Sequence, residues 1–154
     1  MSAPAGSDPG IPQSRRGLSR RLTVQALYQW LVNETAPEAM IAQFREQPEG
    51  LGRADAEYFT LLLNGVVTEA TELTLRLAPH LDRPIAQLDP VEHAILLLAT
   101  YELASHPEVP WKVVVNEAVN LAKVFGAEEG YKFVNGVLDK LARELRAVEV
   151  GAGL

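Results

Sequence analysis

Residues 89–104 hold a strong helix start followed by a helix with no polar side, and no other feature constrains the fold as much. In Asp89-Pro90-Val91-Glu92, Asp89 suits the cap position, Pro90 the first helical position, and Glu92 is placed to reach back toward the cap. Over 91–104, Ala94, Ile95, Leu96, Leu97, Leu98, Ala99 and Leu103 are spread around the whole circumference. Such a helix must be central, with other elements packed around it.

Those other elements also read as helices. Ser14 or Ser19 can cap a first helix running to about Val32, with Leu18, Leu22, Ala26 and Trp30 recurring near spacing four. Pro37 opens a short helix through Phe44. The spacing of Phe59, Leu62, Leu63, Val66, Val67, Ala70, Leu73 and Leu77 predicts one long helix over 53–77, stopped by Pro79, with a helical turn near 84–88. Pro110 opens another, carrying Val114, Ala118, Leu121, Ala122 and Phe125 on one face. The last uses Val134, Val137, Leu138, Leu141 and Leu145.

Two Asn-Gly pairs, Asn64-Gly65 and Asn135-Gly136, interrupt this picture, because Asn-Gly is the strongest short hairpin signal. The helical spacing passes through both without a phase change, and no period-two alternation flanks them. We therefore expect helix at both, each glycine letting a neighbouring helix approach closely.

At 154 residues with 47% hydrophobic content, the chain suits a single domain. Residues 1–13 hold three prolines and two glycines and no apolar segment, which predicts a disordered tail, with 14–148 as the domain and 149–154 as a flexible C-terminus. The absence of cysteine excludes disulfides and thiolate chemistry and suits a cytoplasmic protein. No apolar run reaches the roughly 18 to 20 residues of a membrane span.

The net charge of −6 conceals two poles. Arg15, Arg16, Arg20 and Arg21 form a local +4 block with no acid between Pro9 and Val32, whereas 34–108 sets 13 acids against four arginines, a local −9. At about 100° per residue the four arginines cover roughly 240°, too wide for a buried stripe but suited to an arm that wraps a phosphate backbone. Charge alone fits a solvated, solubilising face equally well.

Catalysis has little support. His80, His93 and His106 stand thirteen residues apart and share no helical face, so no metal site is expected. The chain has no Gly-rich phosphate loop and no Gly-x-Ser-x-Gly elbow. Acids such as Asp89 and Glu92 are accounted for by helix capping. We expect no enzyme and no cofactor.

The run 122–140 joins a helix stop at Gly126 to an acidic entry, Glu128-Glu129, and then Tyr131-Lys132-Phe133. Arg15-Arg16 through Arg20-Arg21 with Val24-Gln25-Ala26-Leu27-Tyr28-Gln29-Trp30, Leu88-Asp89-Pro90-Val91-Glu92 through Tyr101-Glu102-Leu103, Val109-Pro110 through Val115-Asn116-Glu117-Ala118, and Lys132 through Asp139 follow in order. Together they resemble the NusB family of transcription antitermination factors, over about 15–141. The resemblance implies an all-α fold of about seven helices in two small packed bundles. It also implies binding of single-stranded boxA RNA together with NusE, a small-subunit ribosomal protein, in support of rRNA transcription, with the RNA polymerase elongation complex as an indirect partner.

By position, the resemblance makes Arg15, Arg16, Arg20, Arg21, Lys132 and Phe133 the RNA candidates, and Tyr28 and Glu92 the candidates for contact with NusE. Glu92 thus has two readings, cap and contact, and Phe133 two, stacking surface and core. Members often carry arginine where Leu97 stands, which removes that contact here. Glu129, close to Lys132, should oppose phosphate binding. A homodimer of the free protein is a further possibility, and the rival reading is an interaction scaffold without RNA binding. The related module at the front of some rRNA methyltransferases is disfavoured, because no residues remain for a cofactor-binding domain.

Overall fold

The computed structural model describes residues 14–46 and 51–153, and every described regular element is helical. Eight α-helices follow in order among the described residues: α1 (Arg15–Asn33), α2 (Pro37–Glu46), α3 (Ala56–Thr68), α4 (Ala70–Leu77), α5 (Pro90–Ser105), α6 (Trp111–Phe125), α7 (Gly130–Leu145) and α8 (Ala147–Gly151). Short 3-10 turns at Ala78–His80 and Ile85–Gln87 connect α4 to α5. The tail expected at 1–13 lies outside the described residues.

The apolar helix is the axis of the molecule. α5 packs against α1, α3, α4, α6 and α7, so that α1 to α4 gather on one side and α6 and α7 on the other. Every residue from Ala94 to Leu103 is buried. Each leucine or isoleucine removed from water there contributes about 1.5 to 3 kcal/mol, which is why a helix with no polar face can sit only at the centre. Asp89 caps it by accepting the Val91 N–H at 2.8 Å. Phe44 stacks on Phe59 with ring centroids 5.5 Å apart, closing the far bundle.

Three expectations change. The long helix over 53–77 is two helices meeting at Glu69, whose φ of −101° and ψ of 12° bend the axis while Glu69 N–H still bonds Gly65 and Leu73 N–H bonds Glu69. The bend lets Val66, Leu73 and Leu77 all face the core, and neither proline nor glycine marks it. The C-terminus expected to be flexible from 149 instead carries α8 over its first part. There Glu149 accepts the Trp111 N–H at 2.8 Å, serving as the cap that Pro110 cannot supply.

The two Asn-Gly glycines also differ. A Cβ on Gly65 would lie 2.2 Å from the Tyr101 ring, so α3 and α5 approach as closely as expected, whereas a Cβ on Gly136 meets nothing within 4 Å. Only the first glycine is there for packing.

Candidate nucleic-acid interface

Ser14 starts α1, its Oγ accepting the Gly17 N–H at 2.8 Å, so all four arginines of the basic block lie in regular helix. They do not act together. Arg15 Nε donates to the Arg53 carbonyl at 3.3 Å, the Arg16 guanidinium lies 4.1 Å from the centre of the Tyr58 ring, and that of Arg21 lies 5.7 Å from the centre of Phe125.

Arg20 turns inward and is 4% exposed. Its Nε donates to both Glu102 oxygens at 2.8 and 3.0 Å, its second nitrogen reaches Oε2 at 2.9 Å, and Glu117 lies 3.7 Å away. The Tyr58 hydroxyl donates to the same Glu102 carboxylate, and burial beside that charge pushes its pKa above the usual phenol range, so it remains a donor. The reading of Arg20 as part of an RNA-wrapping arm is therefore corrected: desolvating this charge requires its partners, and the guanidinium fork is spent on Glu102. The burial of Leu97, 1% exposed, likewise removes that position from the surface.

The second cluster forms where α6 hands over to α7. Gly126 closes α6, its N–H bonding the Ala122 carbonyl at 2.8 Å, and Glu129 adopts a left-handed φ of 71° before α7 begins. A Cβ on Gly130 would lie 2.3 Å from Glu92 Oε2, so α7 begins in close contact with that carboxyl, which any larger residue would have to displace. Glu92 is buried, and burial together with Asp89 raises its pKa. Its expected reach back to cap α5 is replaced by this packing, and Asp89 alone makes the cap bond to Val91.

Cations lie over aromatic rings throughout this corner. Arg83 covers Phe133 at 4.4 Å and Lys123 covers Tyr131 at 4.9 Å, while Lys132 is exposed and ion-paired with Glu129. Phe133 and Tyr131 both lean on the core, leaving each ring half-buried. Sequence reasoning missed Arg83, Lys123 and Phe125. Arg83 was hidden inside a strongly acidic segment, and only its place just before the α5 cap hinted that it borders this corner.

The two clusters lie toward opposite ends of α5. Arg16 shares a hollow of about 240 Å³ with Asp55, Glu57, Tyr58, His106 and Glu108 at the C-terminal end, whereas Phe133 lies under Arg83 near the N-terminal end. Sixteen residues at about 1.5 Å each separate these ends by roughly 24 Å. Arg21 reaches Phe125, the last residue of α6, and so belongs with the second cluster and not with Arg16. Beside Arg21 lies a groove of about 470 Å³ lined by Val24, Gln25, Tyr28, Gln29, Val91 and Phe125. Tyr28, 41% exposed, stands in its wall.

Among the described residues no group of acids and histidines could hold a metal ion, and no helix is long and apolar enough to cross a membrane.

Comparisons with known proteins agree with this architecture. The chain is 51% identical to the transcription antitermination protein NusB of Ralstonia nicotianae over 141 residues, covering 92% of this chain and 90% of the relative. It is equally identical to that of Burkholderia ambifaria over 142 residues, covering 92% and 97%. Among solved structures, T. maritima NusB superimposes with a TM-score of 0.74 at 27% identity, covering 87% of this chain and 94% of that one. A crystal structure of antitermination factors NusB and NusE in complex with dsRNA gives 0.71 at 25% identity, covering 84% and 97%. The NusB family model matches residues 18–143, and the chain therefore belongs to the NusB family.

Proposed function

We propose that this protein is a cytoplasmic, non-enzymatic transcription antitermination factor that binds single-stranded boxA-type RNA together with NusE and so supports rRNA transcription. The observation that carries the reading is the α6–α7 corner, where Arg21, Lys123, Arg83 and Lys132 surround three aromatic rings beside an open groove. Guanidinium and ammonium groups neutralise phosphate, and flat groups next to them offer surfaces to unstacked bases. The solved complex of NusB and NusE with dsRNA supports NusE and RNA as the partners, while the single-stranded form of the RNA is read from the exposed stacking groups alone.

Arg15, Arg16, Arg21 and Lys132 are the phosphate candidates in this reading. With so few cations, about three or four phosphates are neutralised, giving a salt slope of roughly −2 to −3, so binding by this chain alone is modest. NusE docks in the groove, against Tyr28, whereas Glu92, expected from the resemblance to face NusE, is buried against Gly130 and offers no exposed carboxylate. A basic partner placed there adds positive charge beside these cations, and the acidic surface of this chain speeds its encounter.

The test is a titration of boxA RNA against a scrambled sequence, with and without NusE, at one fixed salt concentration. We expect preference for boxA and tighter binding by the heterodimer. Equal affinity for both RNAs, or no gain from NusE, overturns the reading.

A further inference from the structure

The ring most suited to stacking in this corner is already covered. The Arg83 guanidinium lies over Phe133 at 4.4 Å, so a base approaching that ring from solvent meets the guanidinium first. Asp82 holds the group from its edge, accepting from Nε at 2.7 Å and from the second nitrogen at 3.2 Å. With two nitrogens committed to Asp82 and one face on the ring, the side chain is still 39% exposed. A guanidinium is planar, delocalised and weakly hydrated, and stacks on nucleobases as readily as on aromatic rings.

We infer that the outer face of Arg83, backed by Phe133 and levelled by Asp82, is a stacking platform for one base of a single-stranded RNA. The inference rests on the RNA-binding function proposed above and adds a residue and a role to it. Arg83 acts here as a flat surface more than as a phosphate hand, because Asp82 occupies its Nε edge and leaves only the terminal nitrogens for an oxyanion. Phe133 acts from beneath, by fixing the height and tilt of the platform. Lys140, within electrostatic reach of Asp82, offsets the negative charge that the clamp would otherwise present to a phosphate backbone.

The test uses the full chain and a short unstructured boxA oligonucleotide, together with a series in which each nucleotide in turn is made abasic while every phosphate is kept. Arg83→Lys retains the charge and removes the plane, and Arg83→Gln retains a small plane and removes the charge. Far-UV circular dichroism checks that both keep the fold. We expect Arg83→Lys to bind the intact RNA about five- to tenfold more weakly with an unchanged salt slope, since one base stack is of this order. At one abasic position wild type and Arg83→Lys should bind equally.

Wild-type affinity in Arg83→Lys overturns the platform. So does an equal loss across the whole abasic series together with a slope shallower by about 0.7 in Arg83→Gln, which would make Arg83 a phosphate contact. If wild type binds RNA neither alone nor with NusE, the RNA-binding function itself fails, and the platform with it.

Discussion

Arg20 and Glu102 form a buried ion pair in which a first-helix guanidinium holds both oxygens of a carboxylate on the central helix. Its place in a basic block gives no hint of this, because Arg20 differs from Arg15, Arg16 and Arg21 only in the direction it faces on α1. We predict that Arg20→Ala destabilises the protein by about 3 to 5 kcal/mol, since Glu102 would be left buried and charged with only Tyr58 to satisfy it. Urea unfolding measures the loss. The salt slope of RNA binding by the folded variant should match wild type, and a shallower slope would return Arg20 to the RNA surface.

Gly65 and Gly136 stand in the same Asn-Gly-Val context, yet the structure gives their substitution opposite signs. Gly65→Ala drives a methyl group into the Tyr101 ring and should cost about 1 to 3 kcal/mol. Gly136→Ala meets open space in the interior of α7 and should stabilise by about 0.5 to 1 kcal/mol. Thermal melts of the two variants, run side by side, decide it. Two shifts of the same sign would refute this packing of α3 on α5.

That pair marks the limit of what the chain discloses before folding. Periodicity carries the helices, and the apolar circumference of 91–104 carries the central place of α5, because both depend on residues near one another in sequence. The kink at Glu69, the role of Arg146 and the covered ring of Phe133 depend on residues far apart. Arg146 is buried at the end of α7 and donates to the carbonyls of Glu102, Leu103, His106 and Val109, closing the C-terminal end of α5 from more than 35 residues away. Nothing around Arg146 in the chain distinguishes it from Arg143, which stays exposed and pairs with Asp139. For the site, residue types were legible and directions were not: Lys132 is exposed, Arg20 points inward, and Arg83 emerges from an acidic stretch.

Glu129 holds the ammonium of Lys132 in an exposed ion pair one turn away. Exposed pairs of this kind contribute about 0.2 to 1 kcal/mol, so Glu129→Gln should release Lys132 for phosphate and tighten RNA binding about two- to fivefold. The salt slope should steepen by roughly 0.7 if one more phosphate is engaged. Isothermal titrations at several salt concentrations read both quantities. Unchanged affinity and slope would mean that Lys132 lies off the path of the strand.

Glu92 gives the stability of this protein a definite pH dependence. Burial, with Asp89 nearby, raises its pKa in the folded state, so the folded protein binds that proton more tightly than the unfolded chain. The resulting stabilisation is complete below the unfolded pKa and is lost as pH rises through the folded one. At neutral pH the ionised carboxylate is therefore a net cost, and Glu92→Gln, of nearly the same shape, should raise Tm by up to about 3 °C. The gain should shrink toward pH 4, where both side chains are neutral. Glu149 runs the other way: the N–H of Trp111, with the Arg146 guanidinium beside it, lowers its pKa, so Glu149→Gln should lose stability at neutral pH and lose progressively less in acid. Melting curves from pH 4 to 8 for the two variants should thus diverge from wild type in opposite directions as pH rises. A Glu92→Gln difference that stays constant across that range would show that the carboxyl titrates alike in the folded and unfolded chain.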